Sequence, residues 1–149
     1  MSGETEARYA LAAAASLLDQ GEIIDRLSRP LTLAALMGLT VGLGIELGRL
    51  LTAGLVLVAV TGLIELYLAL RVGFDAALFH RLAGDGNQRV PDLRNLDAAL
   101  LKLGLLADTK SGRALEPRVS GARRLLFLQA AALVFQVVVI FFGTALVTL

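Results

Sequence analysis

The chain has 149 residues, a length that suggests one domain, and its formal net charge is +1. Hydrophobic residues make up 56% of it and the mean hydropathy is +0.74, well above the usual soluble composition. The absence of cysteine excludes disulfides and thiolate metal sites. A single histidine, His80, argues against a histidine metal site within one chain. The composition therefore predicts an integral membrane protein, and neither a cofactor nor a nucleic-acid partner is indicated.

Residues 1–29 predict an amphipathic N-terminal helix. Its apolar residues recur at close to helical spacing: Leu11, Ala14, Leu17, Leu18, Ile24 and Leu27. Such a helix either lies on the membrane or a partner, or packs on the cytoplasmic part of its own chain. Pro30 is predicted to end it, because proline lacks the backbone N–H that a helix interior requires.

Residues 30–72 predict a transmembrane hairpin. The apolar stretches Leu31–Gly48 and Leu50–Leu70 together are about twice the length that a bilayer needs, so they are read as two spans. Glycines at 42, 44 and 48 suit a tight turn between them.

Residues 73–122 predict a small helical cytoplasmic segment with short amphipathic helices over 74–84 and 91–106. Residues 123–149 predict the C-terminal span, since 125–149 hold no charged residue. The predicted fold is an all-α integral membrane protein with about three transmembrane helices.

The charge distribution predicts how the chain is oriented. Residues 71–124 carry ten basic and six acidic residues, and basic loops stay in the cytoplasm. The N-terminus is then cytoplasmic and the C-terminus outside. Lysine supplies only two of the 14 basic residues, which hints at a GC-rich bacterial genome and hence at a bacterial inner membrane.

Small residues mark the faces on which the hairpin helices are expected to pack on another helix, of this chain or of a partner. They fall on one stripe of each span: Ala34, Gly38, Gly42, Gly54 and Gly62. The first stripe ends in Glu46, which most simply pairs with Arg49 at the turn.

Glu65 is an acidic residue inside an apolar span, where insertion scales put the cost at about 2.5–3.5 kcal/mol near mid-helix. It lies six residues before Arg71, or about 9 Å inside the predicted cytoplasmic boundary. Thr32 is a candidate hydrogen-bond donor to it, and Arg29 or Arg71 a candidate counter-ion. Its role is either packing or a functional ion or charge contact.

Gln129, Gln136 and Gly143 recur every seven residues along the third span. Amides within spans tend to hydrogen-bond across helix interfaces. This face is expected to close the bundle or to bind a copy of the chain or another protein, in preference to lining a channel.

The leading hypothesis is a non-enzymatic accessory or scaffold subunit of a membrane complex, whose partners are other membrane subunits or copies of itself. The alternative is a homo-oligomer that conducts ions or protons past a ring of Glu65 side chains. A third hypothesis is a lipid-modifying enzyme that uses Asp75, His80 and Asp97.

Overall fold

The computed structural model describes residues 2–45, 47–84, 102 and 115–148. All of the regular secondary structure in these residues is helical. The helices are α1 (Ser2–Leu18), α2 (Gln20–Gly42), α3 (Arg49–Gly84) and α4 (Leu115–Thr148). The predicted all-α fold is therefore confirmed. Glu46 and nearly all of the predicted helix over 91–106 lie outside the described residues.

The first helix break is at Asp19 and not at Pro30, so this predicted boundary is wrong. The Asp19 N–H donates to the Ala15 carbonyl, and the Asp19 carbonyl accepts from the Glu22 N–H. Pro30 lies within α2. A proline costs one backbone hydrogen bond there, but neighbouring helices can stabilise the interrupted segment. Ser28 and Thr32, on either side of it, are both buried in the bundle.

The prediction of a separate helix over 74–84 is also wrong, because these residues form the last turns of α3. Likewise, α4 begins at Leu115, well before the Arg123–Arg124 pair. A charged residue indicates where a chain leaves an apolar layer, but it does not end a helix. Both helices therefore extend beyond their apolar stretches.

α3 is the central helix and packs against α1, α2 and α4. One apolar cluster surrounds the α1 end of the bundle: Leu11, Ala14, Ala15, Leu18, Val72, Ala76, Phe79, Ala122 and Leu126. A second lies toward the turn between α2 and α3: Ala35, Val58 and Ala59, with Leu39, Leu55, Val139 and Ile140 around them.

Of the two predicted positions for the N-terminal amphipathic helix, the structure shows packing on its own chain. Leu11 is 1% exposed and contacts the cluster at the α1 end. Leu17 and Leu27, predicted on the same apolar face, are 44% and 57% exposed. The break at Asp19 separates the two halves, so the apolar residues of 1–29 do not share one face.

In the part of the chain that the structure describes, two helices have the length and hydropathy of a membrane span. They are α3 and residues 116–145 of α4. The predicted first span falls on the C-terminal half of α2 and the turn after it, and α2 is not one of the two.

Candidate functional site

A layer of buried polar side chains lies between the two apolar clusters. We call it the polar layer, and its members are Asp25, Ser28, Thr32, Glu65, Gln129 and Gln136. They come from α2, α3 and α4, so the layer joins these three helices. Gln129 and Gln136 are two helical turns apart, which makes it about 10 Å tall.

Gln136 joins three helices. Its Oε1 accepts a hydrogen bond from Ser28 Oγ at 2.7 Å, and its Nε2 donates to Thr32 Oγ1 and to the Val58 carbonyl, each at 3.1 Å. Thr32 Oγ1 in turn donates to the Ser28 carbonyl at 3.0 Å. The Gln136 amide is thus fully engaged within the chain.

Gln129 holds Glu65. Its Nε2 donates to Glu65 Oε1 and to the Gly21 carbonyl, both at 2.8 Å. These two acceptors fix the orientation of the amide, because the reverse orientation would set oxygen against oxygen. Gln129 Oε1 is buried, and no donor among the described residues reaches it.

Two glycines allow the amides to reach their partners. A Cβ at Gly62 would overlap Thr32 Oγ1 and would lie 2.6 Å from Gln136 Nε2. A Cβ at Gly21 would lie 2.8 Å from Val72 Cγ1 and 2.9 Å from Gln129 Oε1. Close approach of backbones through glycine is how helices in lipid gain packing contacts.

Asp25 and Arg29 form an ion pair one turn apart on α2, with Arg29 Nε donating to Asp25 Oδ1 at 2.9 Å. A second contact joins the guanidinium to Asp25 Oδ2. Asp25, and not Glu65, is therefore the partner of Arg29.

Glu65 also lines an open groove of about 330 Å³ between α2 and α3, which we call the α2–α3 groove. Thr32 and Glu65 are its polar residues beside Arg29, and its apolar walls are Leu33, Leu36, Leu63 and Leu66. The residue is only 1% exposed. Among the described residues, this groove connects its carboxylate to the outside of the bundle.

The small residues predicted on one stripe of the first span have different surroundings in the structure. Gly38 packs on Leu55, whereas Gly42 meets Leu47 of the adjoining turn. Ala34 is exposed, because the buried position of this turn is Ala35, about 100° further around the helix. Ala34 therefore does not pack within the chain, and its place at a partner interface stays a prediction.

Gly54 and Gly143 line a shared apolar groove of about 310 Å³ between α3 and α4, near the turn. A Cβ at either position would find no atom within 4 Å. These two glycines therefore do not bring helices of this chain together.

The proposed partners of Glu65 differ from those found. Thr32 bonds to Gln136 and Ser28, although it does line the same groove as Glu65. Arg71 is exposed on α3. The Glu65 donor is Gln129, which the sequence had placed on a separate packing face.

Two residues of the enzyme hypothesis, Asp75 and His80, lie on α3. His80 Nε2 lies 2.8 Å from Asp19 Oδ2, a contact that joins the start of α2 to the end of α3. Asp75 lies on α3 and Asp97 lies outside the described residues.

Sequence reasoning missed Gly21, Asp25 and Ser28. With Thr32 and Ala35 they recur at steps of four and three along α2, which is the spacing of a packed helix face. The signal was present, but ending the helix at Pro30 divided it between two segments.

Comparison of the chain with protein-family models, with curated proteins and with solved structures gave no match.

Proposed function

We propose that this chain is an integral membrane protein that acts as a non-enzymatic accessory or scaffold subunit of a membrane complex. The observation that carries the proposal is an inverted distribution of polarity. The buried positions of α2 are Gly21, Asp25, Ser28, Thr32 and Ala35, three of them polar, while large apolar side chains such as Met37 point outward. Lipid, and not water, makes that arrangement favourable.

The outer surfaces of α3 and α4 support the same proposal. Exposed large apolar residues follow both helices and include Leu57, Leu63, Leu70, Val134, Phe141 and Phe142. With α2 as a shorter third span, the proposed topology keeps the N-terminus in the bacterial cytoplasm and the C-terminus outside. The basic residues from 71 to 124 then remain inside.

The use of the buried polar groups favours a scaffold over an enzyme. Gln129 and Gln136 hold helices together, and the Asp25 carboxylate holds Arg29. Side chains that stabilise the bundle in this way cannot move freely toward a substrate. The surface that is left for interaction is apolar, and it suits neighbouring helices.

The conduction alternative has weaker support. A ring of carboxylates requires Glu65 of each copy to face a common axis. Here Glu65 is bonded to Gln129 of its own chain and is 1% exposed.

The test is purification from the native membrane in mild detergent, followed by native mass spectrometry of the intact particle. We expect other polypeptides at fixed stoichiometry. Leucine at Gly54 or Gly143 should weaken the complex, because both glycines line the apolar groove between α3 and α4. Gly121→Leu is the matched control, since a Cβ there also meets no atom within 4 Å.

A lone monomer at native expression would overturn the accessory role. Particles that contain only copies of this chain would instead favour the homo-oligomer, and liposome flux with Glu65→Gln would then test conduction.

A further inference from the structure

The Glu65 carboxylate forms no ion pair within the described residues. Its Oε1 accepts from Gln129, and no hydrogen bond to its other oxygen comes from the part of the chain that the structure describes. The nearby guanidinium of Arg29 is already held by both oxygens of Asp25. That pair occupies the Arg29 guanidinium, so an ion pair with Glu65 needs a second cation.

An isolated carboxylate is costly in an apolar environment, and a counter-charge lowers that cost. A cation can reach Glu65 from outside the bundle through the α2–α3 groove, which Glu65 lines. All four of its wall leucines are exposed on the outer surface. The occupant must therefore approach from the side, through the layer in which the proposed spans lie.

We propose that the α2–α3 groove receives a basic side chain from a transmembrane helix of a different polypeptide, which pairs with Glu65. This inference rests on the proposed accessory role and names the chemistry of the partner. The methylene stem of a lysine packs along the leucine walls, and its ammonium group reaches the carboxylate and the Thr32 hydroxyl. Such a pair also fixes the register of the two helices, as polar groups in helix interfaces do.

A second copy of this chain does not supply the cation. Residues 31–48, 50–70 and 125–149 contain no lysine, arginine or histidine. Of the basic residues that flank these ranges, Arg29 is held by Asp25 of its own chain. Arg49 and Arg71 lie about 24 Å and about 9 Å along α3 from Glu65. Charge complementarity therefore points to a partner with a basic residue inside its own span.

The test uses two synthetic transmembrane peptides with a leucine–alanine sequence. One carries a single lysine about a third of the way from its cytoplasmic end, and the other carries methionine there. Binding to the full-length chain in phosphatidylcholine vesicles is measured by energy transfer from a fluorophore at Gly44→Cys, since the chain has no cysteine of its own. We expect the lysine peptide to bind about tenfold more tightly, which corresponds to about 1.4 kcal/mol.

Glu65→Gln keeps a carbonyl oxygen for Gln129 and removes only the charge, so it should abolish this preference while the methionine peptide binds as before. Leu66→Trp should block the groove and weaken binding of the lysine peptide. Leu57→Trp, at another exposed position of α3, is the matched control. Far-UV circular dichroism of each variant verifies that the helices are intact.

Equal binding of the two peptides, or a preference that survives in Glu65→Gln or Leu66→Trp, would overturn the inference. So would native mass spectrometry that shows an amine-bearing lipid lost in Glu65→Gln without any peptide preference, because the groove would then be a lipid site. A lysine preference in a chain that carries no partner from its native membrane would contradict the accessory role, but not the charge selectivity of the groove.

Discussion

Gln136, like Gln129, joins α2, α3 and α4 by side-chain hydrogen bonds. It accepts from Ser28 and donates to Thr32 and to the Val58 carbonyl. A buried polar group that loses its partner costs more free energy than the net worth of the bond itself. The polar layer is therefore sensitive to single substitutions.

We expect Gln136→Met to lower the free energy of unfolding by about 1–2 kcal/mol, because Ser28 and the Val58 carbonyl lose their partner. The measurement is SDS titration in mixed micelles, followed by far-UV circular dichroism. Val137→Met is the control, since Val137 is exposed on the same helix. Equal midpoints for the two variants would contradict the role of Gln136.

Gly62→Ala is expected to destabilise the chain by about 1–3 kcal/mol, because the added methyl group overlaps Thr32 and forces the helices apart. Gly54→Ala should instead be neutral or stabilising by up to about 1 kcal/mol, since alanine is the better helix former and the site is open. The same titration compares them. A Gly62→Ala variant as stable as Gly54→Ala would mean that α2 and α3 do not approach closely there.

At the scale of helices, the break at Asp19 divides the apolar face that the sequence predicts over residues 1–29. Its buried residues contact α3 and α4 around Phe79 and Leu126. This contact makes α1 part of the bundle and not a separate surface helix. The stability of the contact between α1 and the bundle should therefore depend on the few buried residues of α1.

Leu11→Ala should lower the free energy of unfolding by about 2–4 kcal/mol, because it leaves a cavity in the cluster at the α1 end. Leu17→Ala, on the exposed side of the same helix, should cost less than about 1 kcal/mol. Chemical denaturation of both variants in detergent measures the loss in free energy of unfolding at each position. If Leu17→Ala cost more than Leu11→Ala, α1 would face the opposite way.

At the scale of the whole molecule, the bundle has apolar clusters at its two ends and the polar layer between them, with apolar side chains outside. The proposed topology places the turn between α2 and α3 outside the cell. The same proposed topology places the end of α3 on the cytoplasmic side. Both ends have exposed glycines at which a probe can be introduced.

Cysteine introduced at Gly44 should react with a membrane-impermeant maleimide in intact spheroplasts, whereas cysteine at Gly84 should react only after permeabilisation. The positive-inside rule is the physical reason. The chain without added cysteine provides the blank, because it contains none. The reverse labelling pattern would invert the proposed orientation.

The sequence by itself determined the helical class, because long runs of Leu, Ala, Val and Gly leave few other ways to satisfy the backbone in an apolar setting. It also singled out Gln129, Gln136, Gly62 and Glu65, since polar and small residues at regular spacing contrast with their apolar neighbours. Only the tertiary structure decided which of them meet. Which residues meet depends on helix rotation and register, since a rotation by one residue separates exposed Ala34 from buried Ala35. The continuation of α2 through Pro30 likewise depends on the packing of α2 against α3 and α4.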